Sequence, residues 1–240
     1  TDEILADSER VARRFHQSGP GAMVQIALAP CSPFSVTQHL MRQTAELGAK
    51  LGVRLHTHLG ETQDENDFCV AKLGMRPLDY LEDCGWLGSQ TWLAHGIHFN
   101  SEEIDRLGKA GTAVTHCPHS NMTLASGLCP ACDLQNAGSA VGLGVDGSAS
   151  NDASNAIEEV RAAMMLQRLR QADNVRLVAQ RTQHERAHVP GGVRGEAHAA
   201  VGVKEADRAQ QPLRALLQKV RLLHHGRAPP ARPHLVDLVI

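Results

Sequence analysis

Arg54-Leu55-His56-Thr57-His58-Leu59-Gly60-Glu61-Thr62 is the stretch from which the fold is read. It begins as a strand. Side chains two apart on a strand share a face, so Arg54, His56 and His58 point one way and Leu55 and Thr57 the other. It ends in a polar turn carrying Glu61. The same form recurs along the chain: an apolar, strand-like run followed by polar residues. It is seen at Val24 to Ala29 before Pro30-Cys31-Ser32-Pro33, at Thr91 to His95, at Thr112 to His116, and at Ala140 to Val145 before Asp146 and Gly147.

Helical patterns lie between these runs. They cover 3–17, 36–50, the short pieces 64–73 and 77–84, 101–110 with Ser101 as its N-cap, 133–137 and 153–170. Strand and helix therefore alternate five times, which predicts a parallel sheet with helices outside. The polar clusters all fall at the C-terminal ends of strands, the active face of a (β/α)8 barrel. A doubly wound sheet also binds ligands there, but none of the strands is followed by a glycine-rich phosphate loop. The expected fold is α/β, part of a barrel, over residues 1–171.

Composition sets the limits. Of 240 residues, 42% are hydrophobic and only 3% aromatic, so the core must be aliphatic. A net charge of −2 gives no nucleic-acid footprint and no membrane-surface signature. Thr1 to Arg14 is charged throughout and reads as no secretion leader. The six cysteines are then expected to be reduced thiols in the cytoplasm. Cys129-Pro130-Ala131-Cys132 has no second pair, and two ordinary thiols are expected. The charge balance is −7 before residue 172 and +5 after it. The segment from 172 to 240 also holds six of the 14 histidines and five of the 11 prolines. It is expected to be a poorly structured tail, with one possible helix over 203–223.

Histidine, glutamate and aspartate at successive strand ends are the parts of a metal-activated water site. His58 ends its strand, where a ligand would project into a barrel mouth. Glu61 lies within reach of the same cavity and could relay protons. His95 ends the next strand. Asp146 lies at an apolar strand end, where an acid is costly unless paired or metal-bound. Plain structural roles compete with these: His56 and His58 as hydrogen-bonded core residues, His98 as a surface or capping residue, and Asp146 as a turn or helix cap.

Five segments together resemble the amidohydrolase superfamily, in its branch of mononuclear-zinc deaminases acting on purines, pyrimidines and triazines. They are Ala29 to Ser35, His56 to Thr62, Leu93 to His98, His116 to Met122, and Gly142 to Asp152. The resemblance places these in strands 4 to 8 of that barrel. It implies one zinc ion, with His58 and Asp146 as ligands. It also implies Glu61 as proton shuttle, His95 as the histidine that positions the attacking water, and Asp146 as acceptor of the water's proton. Cys31 and Ser32 match a loop that meets the substrate ring. The implied reaction is hydrolytic deamination of an aminopurine-type ring, such as 8-oxoguanine or guanine, with release of ammonia. The alternatives are an s-triazine amino- or chlorohydrolase, and an inactive fragment. The first-strand His-x-His of the family has no match, so a partial chain with a shifted or unrelated tail is expected. The full-length form is expected to be a homo-oligomer.

Overall fold

The computed structural model describes residues 2–19, 21–187 and 236–239, with backbone alone from 173 onward. The order is α1 (Asp2–Phe15), β1 (Val24–Leu28), α2 (Gln38–Leu51), β2 (Arg54–Leu59), α3 (Gln63–Phe68), a π-helical turn (Cys69–Leu73), α4 (Pro77–Asp83) and β3 (Thr91–His95). It continues with α5 (Ser101–Ala110), β4 (Ala113–His116), α6 (Pro118–Thr123), α7 (Ala131–Ala137), β5 (Val141–Leu143), α8 (Ala156–Ala187) and β6 (Val236–Val239). The strands form a single sheet in the order β5-β4-β3-β2-β1-β6, and every pair is parallel. The sheet curls into a half-barrel with helices outside, the partial (β/α)8 architecture expected from the alternation.

Register carries the strand ends to one rim. His58 pairs with Ala94, and Leu59 with His95. Thr115 pairs with Gly142, and His116 with Leu143. Strand β2 shows the two-residue period directly: Leu55, Thr57 and Leu59 are buried, while Arg54, His56 and His58 face the concave side. The buried face joins Met41, Leu78, Leu81, Trp86, Leu93, Leu107, Val114 and Leu134 in one core between sheet and helices. Trp86 is the largest member, and its indole N–H donates to the Met41 carbonyl at 2.9 Å. Among the described residues no helix is long and apolar enough to cross a membrane.

Several boundaries differ from the sequence expectation. Helix α5 is capped by Asn100 rather than Ser101. The Asn100 side chain accepts from the Glu103 N–H at 2.9 Å, and Glu103 returns a bond to the Asn100 N–H at 2.8 Å, a closed capping box. Helix α6 was not among the expected helices; Pro118 occupies its first turn, where no N–H is needed. The expected helix over 153–170 begins at Ala156 and runs to Ala187. The boundary drawn at 171 from charge therefore falls inside a helix, since Gln, Ala, Arg and Leu there are all good helix formers. The backbone of 236–239 also pairs with β1, within the segment expected to be poorly structured. The possible helix over 203–223 lies outside the described residues.

Candidate metal centre

Three strand ends converge on one point. His58 is the penultimate residue of β2, His95 ends β3, and Asp146 follows β5. Their ligand-capable atoms all lie within 4.8 Å of one another. The imidazoles of His58 and His95 stack at 5.3 Å between centroids. His95 Nε2 is 3.9 Å from Asp146 Oδ2 and 3.6 Å from Glu61 Oε2. Two of these residues hold unusual backbone: His95 has φ 70° and Asp146 φ 64°. A non-glycine residue pays of order 1 kcal/mol or more for that conformation. Both exceptions therefore sit at the point where the side chains must turn inward.

Each group is aimed by a second one. The Cys31 carbonyl lies 2.8 Å from His58 Nδ1 and also accepts from the Thr57 hydroxyl at 3.0 Å. With Nδ1 donating there, His58 presents Nε2 to the cluster. The Ser120 hydroxyl donates to Asp146 Oδ2 at 2.6 Å, with Ser150 Oγ 2.8 Å behind it. Burial raises the proton affinity of Asp146, but the Ser120 bond and the Gly147 N–H, with the electrostatic influence of the nearby His95 and His58 rings, outweigh it, so the carboxyl stays below its usual value. Asp146 is thus an anion at neutral pH. Two neutral nitrogen donors, a carboxylate and supporting hydrogen bonds suit a divalent metal of the zinc type.

Glu65 organises the loop that carries Glu61. It is 2% exposed and accepts from the Gly60 and Glu61 N–H groups, both at 3.0 Å. Burial pushes its carboxyl up to about 7, against the pull of those two N–H groups. A Glu65→Gln change places an amide NH2 against one of them. It should lower stability by about 1–2 kcal/mol, read from urea unfolding midpoints.

Not every predicted residue joins the cluster. His56 stacks on Trp92 at 4.7 Å and bonds its carbonyl at 3.1 Å, so the plain structural role holds there. His98 bonds the Ser126 carbonyl at 2.9 Å, away from the cluster. Cys31 does reach His58, but through its carbonyl, with Sγ 4.0 Å from Nδ1. The Ser32 hydroxyl is engaged with Ser35 at 3.3 Å. Ser120, Asn121 and Ser150 were missed as individual residues. Their only sequence signal was the polar run from His116 to Asn121 and the Ser-rich turn after Asp146.

Burial also pushes His56 and His116 down to about 4. A histidine held neutral in the fold gives stability that is complete above its unfolded value near 6.5 and is lost as pH falls through 4. Glu65 acts oppositely, losing stability as pH rises from 4.5 through 7. Two histidines outweigh one glutamate. Stability should therefore rise by about 1 kcal/mol per pH unit between pH 5 and 6. Urea titrations at several pH values check this, and a His116→Gln variant should flatten the slope.

A parallel half-barrel sheet with a His/His/Asp cluster at its strand ends has counterparts among known proteins. The amidohydrolase family matches residues 1–181, and the chain belongs to that family. The match passes the boundary expected at 171. The chain is 66% identical over 169 residues to an 8-oxoguanine deaminase of Pseudomonas aeruginosa, covering 70% of this chain and 38% of that protein. It is 43% identical over 173 residues to a hydroxydechloroatrazine ethylaminohydrolase of a Pseudomonas species, covering 72% and 36%. Among solved structures it resembles an adenosine deaminase of Xanthomonas campestris with bound zinc. The TM-score is 0.66 at 33% identity, covering 69% of this chain and 37% of that one. The chain thus spans well under half the length of these relatives.

Proposed function

We propose that this site binds one zinc ion and serves hydrolytic deamination of an aminopurine-type ring, of the 8-oxoguanine or guanine class. The observation that carries the reading is the convergence of His58, His95 and Asp146 with Glu61 at their edge. The 66% identity to an 8-oxoguanine deaminase supports the ring class. His58 and Asp146 would hold the ion, while His95 and Glu61 work on the reactants. When bound, zinc supplies a Lewis acid that makes water a nucleophile near neutral pH. His95 positions the attacking water through Nε2. The Asp146 carboxylate accepts the proton the water gives up. Glu61 delivers a proton to the ring nitrogen beside the amino-bearing carbon. The new C–O bond forms, the C–N bond breaks, and ammonia leaves with a proton from these carboxyls. Cys31 and Ser32, at the rim after β1, would meet the ring.

A second reading, removal of an amine or chloride from an s-triazine, is supported by the 43% identity to a hydroxydechloroatrazine ethylaminohydrolase. The substrate is in either case a small molecule. Six free cysteines support a reducing compartment, the cytoplasm. The test is ammonia release from 8-oxoguanine by the zinc-loaded chain, against amine release from hydroxy-triazines. The expected result is ammonia release that falls by 100-fold or more in Glu61→Gln, on the order of a lost general acid–base. Zinc binding without turnover of either ring would refute both readings.

A further inference from the structure

Behind His95 lie two buried residues that take no part in the steps above. His116 ends β4, and Asn121 stands on α6; each is 1% exposed. Asn121 Oδ1 lies 2.9 Å from His95 Nδ1, and Asn121 Nδ2 lies 3.4 Å from His116 Nδ1. A carboxamide has one accepting end and one donating end. Its oxygen is satisfied only by an N–H, so His95 carries its proton on Nδ1. Its NH2 needs an acceptor, so His116 is bare at Nδ1 and keeps its own proton on Nε2. That Nε2 is buried and has no hydrogen-bond partner among the described residues. A buried N–H is rarely left unpaired unless something else is gained.

We propose that Asn121 and His116 are positioning residues that fix His95 as its Nδ1–H tautomer, so that Nε2 presents a lone pair to the site. This deepens the zinc reading above and rests on it for its purpose. The lone pair faces Glu61 Oε2 at 3.6 Å and Asp146 Oδ2 at 3.9 Å. A lone pair opposite two carboxylate oxygens is repulsive, and a cation among them removes the repulsion. The opposite tautomer would aim an N–H at both carboxylates and satisfy the site without any cation. Asn121 thus sets whether the cluster demands a positive charge. The left-handed backbone of His95 is consistent with this, because it turns Nδ1 toward α6 and Nε2 toward the carboxylates from one strand end.

The experiment is long-range 1H–15N correlation of histidine-labelled full chain, metal-free and with added zinc, at pH 7.5. A His95→Gln spectrum assigns the ring. The expected wild-type pattern is a protonated Nδ1 and an unprotonated Nε2. Asn121→Leu should convert this to a mixture of tautomers and weaken zinc binding by about 10–100-fold. Asn121→Asp, which keeps an acceptor, should retain the tautomer. A protonated Nε2 in the wild type overturns the proposal whatever the variants do. An unchanged tautomer in a folded Asn121→Leu also overturns it. The predicted tautomer in a chain that fails to bind zinc would instead refute the zinc reading and leave the tautomer assignment standing.

Discussion

Zinc affinity should fall by more than about 100-fold in Asp146→Ala, since removing outer-shell partners alone costs 10–100-fold. Asp146 is the only carboxylate in the three-residue cluster, and its charge matters most there. Its environment holds it ionised: Ser120 donates at 2.6 Å and the Gly147 N–H faces it. Alanine leaves only His58 to hold the ion, and an imidazole is a donor without charge. Fold should survive, because Asp146 is half-buried at the rim, although alanine holds its left-handed backbone less readily than aspartate. Asp146→Asn separates charge from shape: it keeps an oxygen in place and should still lose most of the affinity. Calorimetric zinc titration of the three proteins reads these differences directly.

The second large effect is structural. Gly108→Ala should destabilise the chain by about 3 kcal/mol, although alanine is the better helix former by about 1 kcal/mol. Gly108 lies in α5 against α7. A Cβ there would come within 2.0 Å of the Ala137 carbonyl oxygen and 2.5 Å of its carbon. These are backbone atoms just before Gly138, whose φ of 107° ends α7, so they have little freedom to retreat. The helices must separate, which opens the packing of Leu107 and Leu134. Gly88→Ala is the control. Nothing lies within 4 Å of its Cβ, and the change should stay within about 0.5 kcal/mol. Urea unfolding of both variants separates the steric conflict at Gly108 from the effect of a glycine-to-alanine change in open space.

The site was legible in the sequence where chemistry and periodicity coincide. His58, Glu61, His95 and Asp146 stand at or just beyond the ends of apolar runs, and parallel pairing brings such ends together. The residues that aim them were not legible, for definite reasons. Cys31 acts through a carbonyl, which every residue has. Ser120 and Asn121 stand on a six-residue helix, and only its packing decides which of its polar groups face inward. Glu65 reads as an ordinary acid in a first helical turn, and its clamp on Gly60 and Glu61 depends on a tight loop. The composition shift at 172 falls inside α8, because charge balance does not stop a helix that has good formers on both sides.

The most direct test of a metal centre built from these strand ends is the zinc K-edge X-ray absorption spectrum of the zinc-loaded chain. The account predicts one tightly held ion with nitrogen and oxygen neighbours at about 2.0–2.2 Å, imidazole scattering, and no sulfur. That signal should vanish in Asp146→Ala. A sulfur shell near about 2.3 Å would place the ion on cysteines instead, and would contradict the assignment. So would a folded chain that holds no zinc.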